Sequence, residues 1–255
     1  MIEKCSLPWT QQYFTNKYNW TNDDFNSINW EAIKTAMTFC SFSTRTWVSK
    51  LNYVFIGTAS MLAHREYWLD DHCPLCRRTR ETTVYLVQGP HPPHRQKALL
   101  ILQELSTWLT TSNCEPTLAA EIVRITTLWI TEGSAAGLNS AYPSIQQQID
   151  LGWQHFIFGK ITKSITQWQH NYVQIDKLRR EAQFWTFRLV QKLWTTLVRP
   201  LWRHRNDIVH AQDKKTSTTR LHQDIKEEVR ELYPSNDVDL LAAVDRRLFD
   251  TPLDD

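Results

Sequence analysis

The sequence predicts a mainly α-helical protein, an irregular helical bundle with a short cysteine-containing loop. Only six of the 255 residues are glycine, and long stretches of Leu, Gln, Trp and Thr recur at helical spacing, which favours helix over sheet. Hydrophobic residues make up 42% of the chain, enough for a chain of this length to bury a substantial core. Together these observations predict a globular helical protein.

The N-terminal third is predicted to contain an irregular lead-in followed by helical and undecided segments. Residues 1–28 are polar, aromatic and rich in Asn, so we expect no regular structure there. Asn29 can cap a helix running from Trp30 to Phe39, whose apolar residues are spaced for one buried face. The segment from Thr46 to Ala63 mixes β-branched and aromatic residues, so its sequence is compatible with either a helix or short strands. The segment 29–95 ends in the cysteine loop.

Residues 96–212 are predicted to form a helical bundle. The apolar positions of Gln96 to Thr111 make a wide helical stripe, and Pro116 suits the first turn of a helix that packs back on it as a hairpin. Ser144 and Gln147 fit a capping box before another helix.

The longest helix is predicted from Asp176 to His210, with a kink or break at Pro200, which lacks a backbone N–H. Beyond it, 213–255 is a charged C-terminal arm. Five tryptophans at helical core positions are predicted to be packing residues rather than base-stacking platforms: Trp108, Trp129, Trp153, Trp185 and Trp194.

Cys73 and Cys76 have the spacing of half a tetrahedral zinc site. His91 and His94 follow downstream and would complete a Cys-Cys-His-His ligand set if the chain folds back. The alternative is that the two cysteines are buried thiols without metal. The five cysteines are an odd number at no regular spacing, which indicates a reducing intracellular compartment, cytoplasm or nucleus.

The stretch CPLCRRTRETTVYLVQGPH resembles the zinc-binding segment found downstream of the reverse transcriptase in non-LTR retrotransposons. The residues that match are Cys73, Pro74, Cys76, Glu81, Thr82 and Pro90. Where the family has its His this chain has Tyr85, and where it has its final Cys this chain has Gly89. Weaker similarity extends over about 28–210 and includes WRHRNDIVH. The resemblance implies a degenerate C-terminal region whose polymerase is encoded upstream, so we expect no enzymatic activity and no small-molecule substrate.

Local basic charge predicts a nucleic-acid partner, RNA or DNA. The net charge of the chain is only +2, but between Asp176 and Arg230 thirteen basic residues face seven acidic ones, an excess of six. The candidate phosphate-binding residues are Arg77, Arg78 and Arg80 beside the loop, and Arg179, Arg180, Arg203 and Arg205 on the long helix. Arg205 is also a candidate for a buried ion pair with Asp207 or a distant acid.

The alternative function is a structural or protein-interaction helical module that has lost metal and nucleic-acid binding. No apolar run approaches the roughly twenty residues that span a bilayer, so no membrane association is expected. His204, Asp207 and His210 share a helical face, but they are better explained by a helix C-terminus than by an acid–base site. The oligomeric state stays open.

Overall fold

Helices account for the regular structure throughout the part of the chain that can be described. The computed structural model describes residues 2–89, 91–133, 137–174 and 181–210, and these ranges contain isolated bridges but no β-strand. The chain divides into two units, 1–206 and 207–255. In the second unit only 207–210 is described, and it is helical; the predicted arm 213–255 lies outside the described residues.

The helices of the first unit follow one another with short connections. In chain order they are α1 (Ile2–Tyr18), α2 (Asn22–Ser27), α3 (Trp30–Thr38), α4 (Phe42–Asn52), α5 (Ala59–His64), α6 (Thr83–Gln88), α7 (Pro92–Thr111), α8 (Pro116–Glu132), α9 (Pro143–Leu151), α10 (Trp153–Ile157), α11 (Lys163–Gln174) and α12 (Glu181–Lys192). A π-helical turn, Leu193–Val198, follows α12. Helical backbone then continues over 199–206 as α13.

Local sequence signals set many of the helix starts. Asn29 accepts a hydrogen bond from the Ala32 N–H and so caps α3, as predicted. Pro92, Pro116 and Pro143 each occupy the first helical position, where the missing N–H has no partner to lose. The predicted capping box at Ser144 is wrong, because Ser144 lies inside α9, which begins at Pro143 and whose N-cap residue, Tyr142, makes no side-chain cap hydrogen bond.

Two other predictions, for residues 1–28 and for Pro200, differ from the structure. The lead-in 1–28 is largely helical, as α1 and α2, and Thr21 with Asp24 forms the capping box of α2. No break falls at Pro200, because helical backbone continues through it; the irregularity is the π-helical turn Leu193–Val198, which precedes the proline. Residues 175–180, the predicted start of the long helix, lie outside the described residues.

The core of the first unit joins nearly all of its helices. α7 packs on α8 as the predicted hairpin, α12 packs on both α3 and α11, and the π-helical turn packs on α7. Trp153, Phe156 and Trp194 are among the largest fully buried side chains. The predicted segments 1–28, 29–95 and most of 96–212 therefore lie in one compact unit. Within the described ranges, no helix combines the length and apolar character needed to cross a membrane.

Candidate functional site

A groove of about 490 Å³ lies between α3, α4, α7 and α12. We call it the basic groove. It is lined by Phe39, Cys40, Ser41, Thr44, Trp108, Arg188, Gln191, Lys192 and Thr195. The two charged residues of this set are both cations, and no described residue lining the groove is acidic. An open cleft with one sign of charge attracts anionic ligands.

Aromatic rings form a rigid wall of the basic groove. Phe39 stacks on Phe187 with ring centroids 5.3 Å apart, and Phe184 meets Phe187 edge to face at 4.9 Å. The Arg188 guanidinium lies over the Phe184 ring at 4.4 Å. Phe39 is 68% exposed and Phe184 is 45% exposed, whereas Phe187 is buried beneath them. Phe39 lines the basic groove and Phe184 lines the adjoining cavity described below, and both exposed rings contact the buried ring of Phe187.

Two further cations stand beside the groove. Arg199 donates to the Thr44 hydroxyl at 2.7 Å and lies over the Trp47 ring at 5.9 Å, so its guanidinium is held against α4. Burial raises the pKa of the Cys40 thiol, while a hydrogen bond with Gln191 and the positive charges of Arg45 and Arg199 act on that pKa in the opposite sense. The positive charge of this surface is thus contributed by at least two helices.

A second cavity, of about 200 Å³, extends the basic groove toward α11. It shares Trp108 and Arg188 with the first cavity and also includes Phe184. Asn113 and Gln169 also line it, but the buried Gln169 amide is already bonded to the Glu115 N–H and the Asn113 carbonyl. The two cavities therefore adjoin each other at one aromatic ring and one cation.

The cysteine turn is a second candidate site, and backbone hydrogen bonds define its shape. The Cys73 N–H donates to the Thr79 carbonyl at 2.8 Å, and the Arg77 N–H donates to the Cys73 carbonyl at 2.7 Å. Arg77 adopts a left-handed backbone conformation, with φ of 54°, that reverses the chain. A bridge between His72 and Arg80 closes the loop. Thr82 then caps α6 by accepting from the Tyr85 N–H.

Tyr85 and Gly89 occupy the positions that have His and Cys in the resembling family. The Tyr85 hydroxyl lies 3.0 Å from Cys76 Sγ, within hydrogen-bonding distance. Burial raises the pKa of the Cys76 thiol, but hydrogen bonds from Tyr85 and from nearby backbone N–H groups outweigh it, so the net pKa lies below its ordinary value. Gly89 adjoins the His94 ring, since a Cβ added there would lie 3.3 Å from His94 Cδ2.

Three of the four predicted zinc ligands line one small cavity of about 10 Å³. We call it the cysteine–histidine cavity; it is lined by Cys73, Glu81, Tyr85, His91, His94 and Arg205, among others. Cys76, the fourth, does not line this cavity, and its Sγ contacts the Tyr85 hydroxyl instead. The four ligand atoms are not gathered at coordination distance. In the described residues, the one cluster whose ligand atoms all lie within 4.8 Å of one another is Asp70, Asp71 and His72, which is largely exposed.

A buried ion pair between Glu81 and Arg205 lines the cysteine–histidine cavity. Arg205 donates to both Glu81 oxygens, at 2.9 and 2.6 Å, and the two side chains are 3% and 1% exposed. Glu81 Oε2 also accepts from the Ala59 N–H at the start of α5. The prediction that Arg205 pairs with a distant acid is confirmed. The prediction that Arg205 contacts phosphate is wrong, because its guanidinium is enclosed.

The remaining candidate phosphate-binding arginines differ in their ion pairing. Arg77, Arg78 and Arg203 are exposed, and none of them forms an ion pair with another described residue. Arg80 is exposed but pairs with Asp71 at 2.9 Å. Arg179 and Arg180 lie outside the described residues.

Sequence reasoning missed the aromatic half of the basic groove. Arg188, Lys192 and Arg199 belong to the basic excess of 176–230, but nothing in the sequence brings them to Phe39, which lies about 150 positions earlier. Comparison with protein-family models, with curated proteins and with solved structures found no match.

Proposed function

We propose that this protein binds single-stranded nucleic acid without reading its sequence, and that the strand occupies the basic groove. In this proposal the chain is a non-catalytic, retrotransposon-derived protein whose cysteine loop is a degenerate reverse-transcriptase zinc-binding segment. The observation that carries the proposal is the combination of exposed rings and unopposed cations in one cleft. Proteins that bind single strands combine a positive groove that follows the phosphates with aromatic side chains that stack on the bases.

Each element of the basic groove has a distinct part in this proposal. Arg188 and Lys192 are placed to meet phosphates, and Phe39 in the groove and Phe184 in the adjoining cavity offer exposed rings to unpaired bases. Paired bases in a duplex have no free face for such stacking. The groove should therefore prefer single strands to duplexes of the same length.

Salt dependence tests the electrostatic part. We would measure the affinity for a fluorescent oligonucleotide without secondary structure by anisotropy, over a series of salt concentrations. For single strands, the slope of log K against log[salt] is about −0.7 per phosphate neutralised. Arg188→Gln with Lys192→Gln should reduce the slope by about 1.4, which is twice 0.7. A Lys97→Gln, Lys163→Gln variant is the control, since neither exposed lysine lines the groove.

Ring truncation tests the stacking part. Base stacking on an aromatic side chain contributes about 1–3 kcal/mol, so Phe39→Leu should weaken single-strand binding at least fivefold. The same variant should leave weak duplex binding unchanged. Absence of salt-dependent binding to any nucleic acid would refute the function and favour the alternative of a protein-interaction module. Binding that depends on Arg77 and Arg78 but not on the groove variants would refute the location.

A further inference from the structure

The cavity that adjoins the basic groove is lined by a residue with a buried, unpartnered hydrogen-bond donor. Trp185 lines this cavity of about 200 Å³ and is 4% exposed, and its indole Nε1 has no hydrogen-bond partner among the described residues. An indole N–H can only donate. Burying a donor without an acceptor is unfavourable, so most buried donors are bonded to a protein group, a water molecule or a ligand. A ligand with an acceptor atom would satisfy this donor.

The other aromatic residues of the adjoining cavity offer surfaces for a flat ligand. Trp108 and Phe184 line it together with Trp185, so three aromatic side chains surround one small space. The Phe184 ring is 45% exposed, and the buried Phe187 ring meets it edge to face at 4.9 Å. Flat heteroaromatic ligands stack on exposed rings of this kind.

Arg188 connects the adjoining cavity to the basic groove, because it lines both. Its guanidinium lies over the Phe184 ring at 4.4 Å and forms no ion pair with another described residue. A ligand that places a flat ring in the cavity and an anionic group beside the groove would therefore meet an aromatic surface and a cation together.

The Gln169 amide is not available to such a ligand. Gln169 is fully buried, its Oε1 accepts from the Glu115 N–H at 2.9 Å, and its Nε2 donates to the Asn113 carbonyl at 2.8 Å. These bonds hold one wall of the adjoining cavity in place. Recognition of a ligand is left to the other lining groups, among them the Trp185 N–H and the Arg188 guanidinium.

We propose that the adjoining cavity receives one unpaired nucleobase of the strand in the basic groove, with the Trp185 N–H donating to the base and the attached phosphate meeting Arg188. This inference rests on the proposed function and names the part of the nucleotide that the cavity recognises. Every nucleobase combines flat faces with acceptor atoms on its edge. The volume of about 200 Å³ is below the roughly 300–1,000 Å³ of pockets for drug-sized ligands, so it suits one ring system.

The test compares two probes that share an anion, adenosine 5′-monophosphate and ribose 5-phosphate. Each is titrated into the full chain at low salt and followed by saturation-transfer NMR. The nucleotide should bind at least about fivefold more tightly than the sugar phosphate, because only the nucleotide has a base to stack. Its base protons should receive more saturation than its ribose protons, because the base is the part enclosed by the cavity.

Three variants locate the binding. Trp185→Phe keeps an aromatic ring but removes the N–H, so it should weaken nucleotide binding about fivefold and leave sugar phosphate binding unchanged. Phe184→Leu should weaken nucleotide binding at least about fivefold. Phe39→Leu is the matched control, because Phe39 lines the basic groove but not the adjoining cavity. It should leave nucleotide binding unchanged while weakening oligonucleotide binding.

Three results would overturn this proposal: no nucleotide binding at millimolar concentration, equal binding of the two probes, or nucleotide binding that neither Trp185→Phe nor Phe184→Leu weakens. The proposed function would survive each of them if oligonucleotide binding stayed salt-dependent and sensitive to Phe39→Leu. Loss of oligonucleotide binding as well would refute both. Because Trp185 is buried, circular dichroism of each variant accompanies the titrations, and the preference of the unaltered chain for the nucleotide is measured independently of any variant.

Discussion

Removing one member of the buried pair between Glu81 and Arg205 should destabilise the first unit more than any exposed charge change. Glu81→Gln leaves the Arg205 guanidinium enclosed and positively charged, with the amide oxygen as its only remaining acceptor at this position. It also weakens the 2.6 Å hydrogen bond that the Ala59 N–H makes to Oε2. Loss of one partner from a buried ion pair costs about 3–5 kcal/mol, a large part of the stability of a typical domain.

A double-variant cycle separates the pairing energy from the burial of each group. Arg205→Met alone leaves the Glu81 carboxylate buried with one backbone donor, and it should cost a similar amount. In the double variant neither charge remains, and a methionine side chain fills most of the space of the arginine stem. The double variant should therefore lose at least about 2 kcal/mol less than the sum of the two single variants.

Urea unfolding followed by tryptophan fluorescence measures these free energies. All twelve tryptophans lie between positions 9 and 202, so the signal reports the first unit. Asp71→Asn is the matched control, because its pairing with Arg80 is exposed, with side chains 37% and 63% accessible, and should contribute at most about 1 kcal/mol. Additive single-variant effects, or a Glu81→Gln loss no larger than that of Asp71→Asn, would refute the reasoning.

Two further predictions concern the adjacent buried residues Gly159 and Lys160. Burial lowers the pKa of Lys160 from 10.5 to about 7, so between these two pH values the unfolded chain binds more protons than the folded chain. The free energy of unfolding should therefore rise with pH, by at most about 1.4 kcal/mol per pH unit. Urea titrations at pH 7 and 9 should show this rise, and Lys160→Met should abolish it. Gly159 has φ of 87°, and a Cβ there would lie 2.6 Å from Trp194 Nε1. Gly159→Ala should therefore lower stability by at least about 1–3 kcal/mol in the same assay, whereas a lowering no larger than that caused by Gly137→Ala, where a Cβ meets nothing, would contradict this explanation.

Local signals in the sequence were sufficient to predict the mainly helical fold class and the first residues of several helices. Caps and N-terminal prolines act within one turn, so Asn29 and Pro116 could be placed without the fold. Four of the five tryptophans predicted to pack are buried, and Trp108 is partly buried against the core while also lining the basic groove. The helical lead-in was missed because α1 has a weak apolar face and carries a proline inside.

Contacts between residues that lie far apart in the sequence could not be predicted from the sequence. Periodicity places Arg188 on a helix face but does not say that Phe39 covers the neighbouring face. The same holds for Glu81 and Arg205, which are 124 positions apart and become partners only through the packing of α13 beside the cysteine loop. Spacing alone also predicted four zinc ligands, without indicating that three of those residues line one cavity while Cys76 contacts the Tyr85 hydroxyl.

The cysteine loop is held in place by hydrogen bonds between protein groups. The loop is closed by backbone hydrogen bonds between Cys73 and Thr79 and between Asp71 and Glu81, and it is anchored to α5 and α13 by the Glu81 carboxylate. Small zinc domains lack such contacts and unfold when the ion is removed. In this chain the contacts are made by protein groups alone, so treatment with a chelator should leave the far-ultraviolet circular dichroism and the urea midpoint nearly unchanged. A loop held in this way should keep its shape with Tyr85 and Gly89 at the positions that have His and Cys in the resembling family.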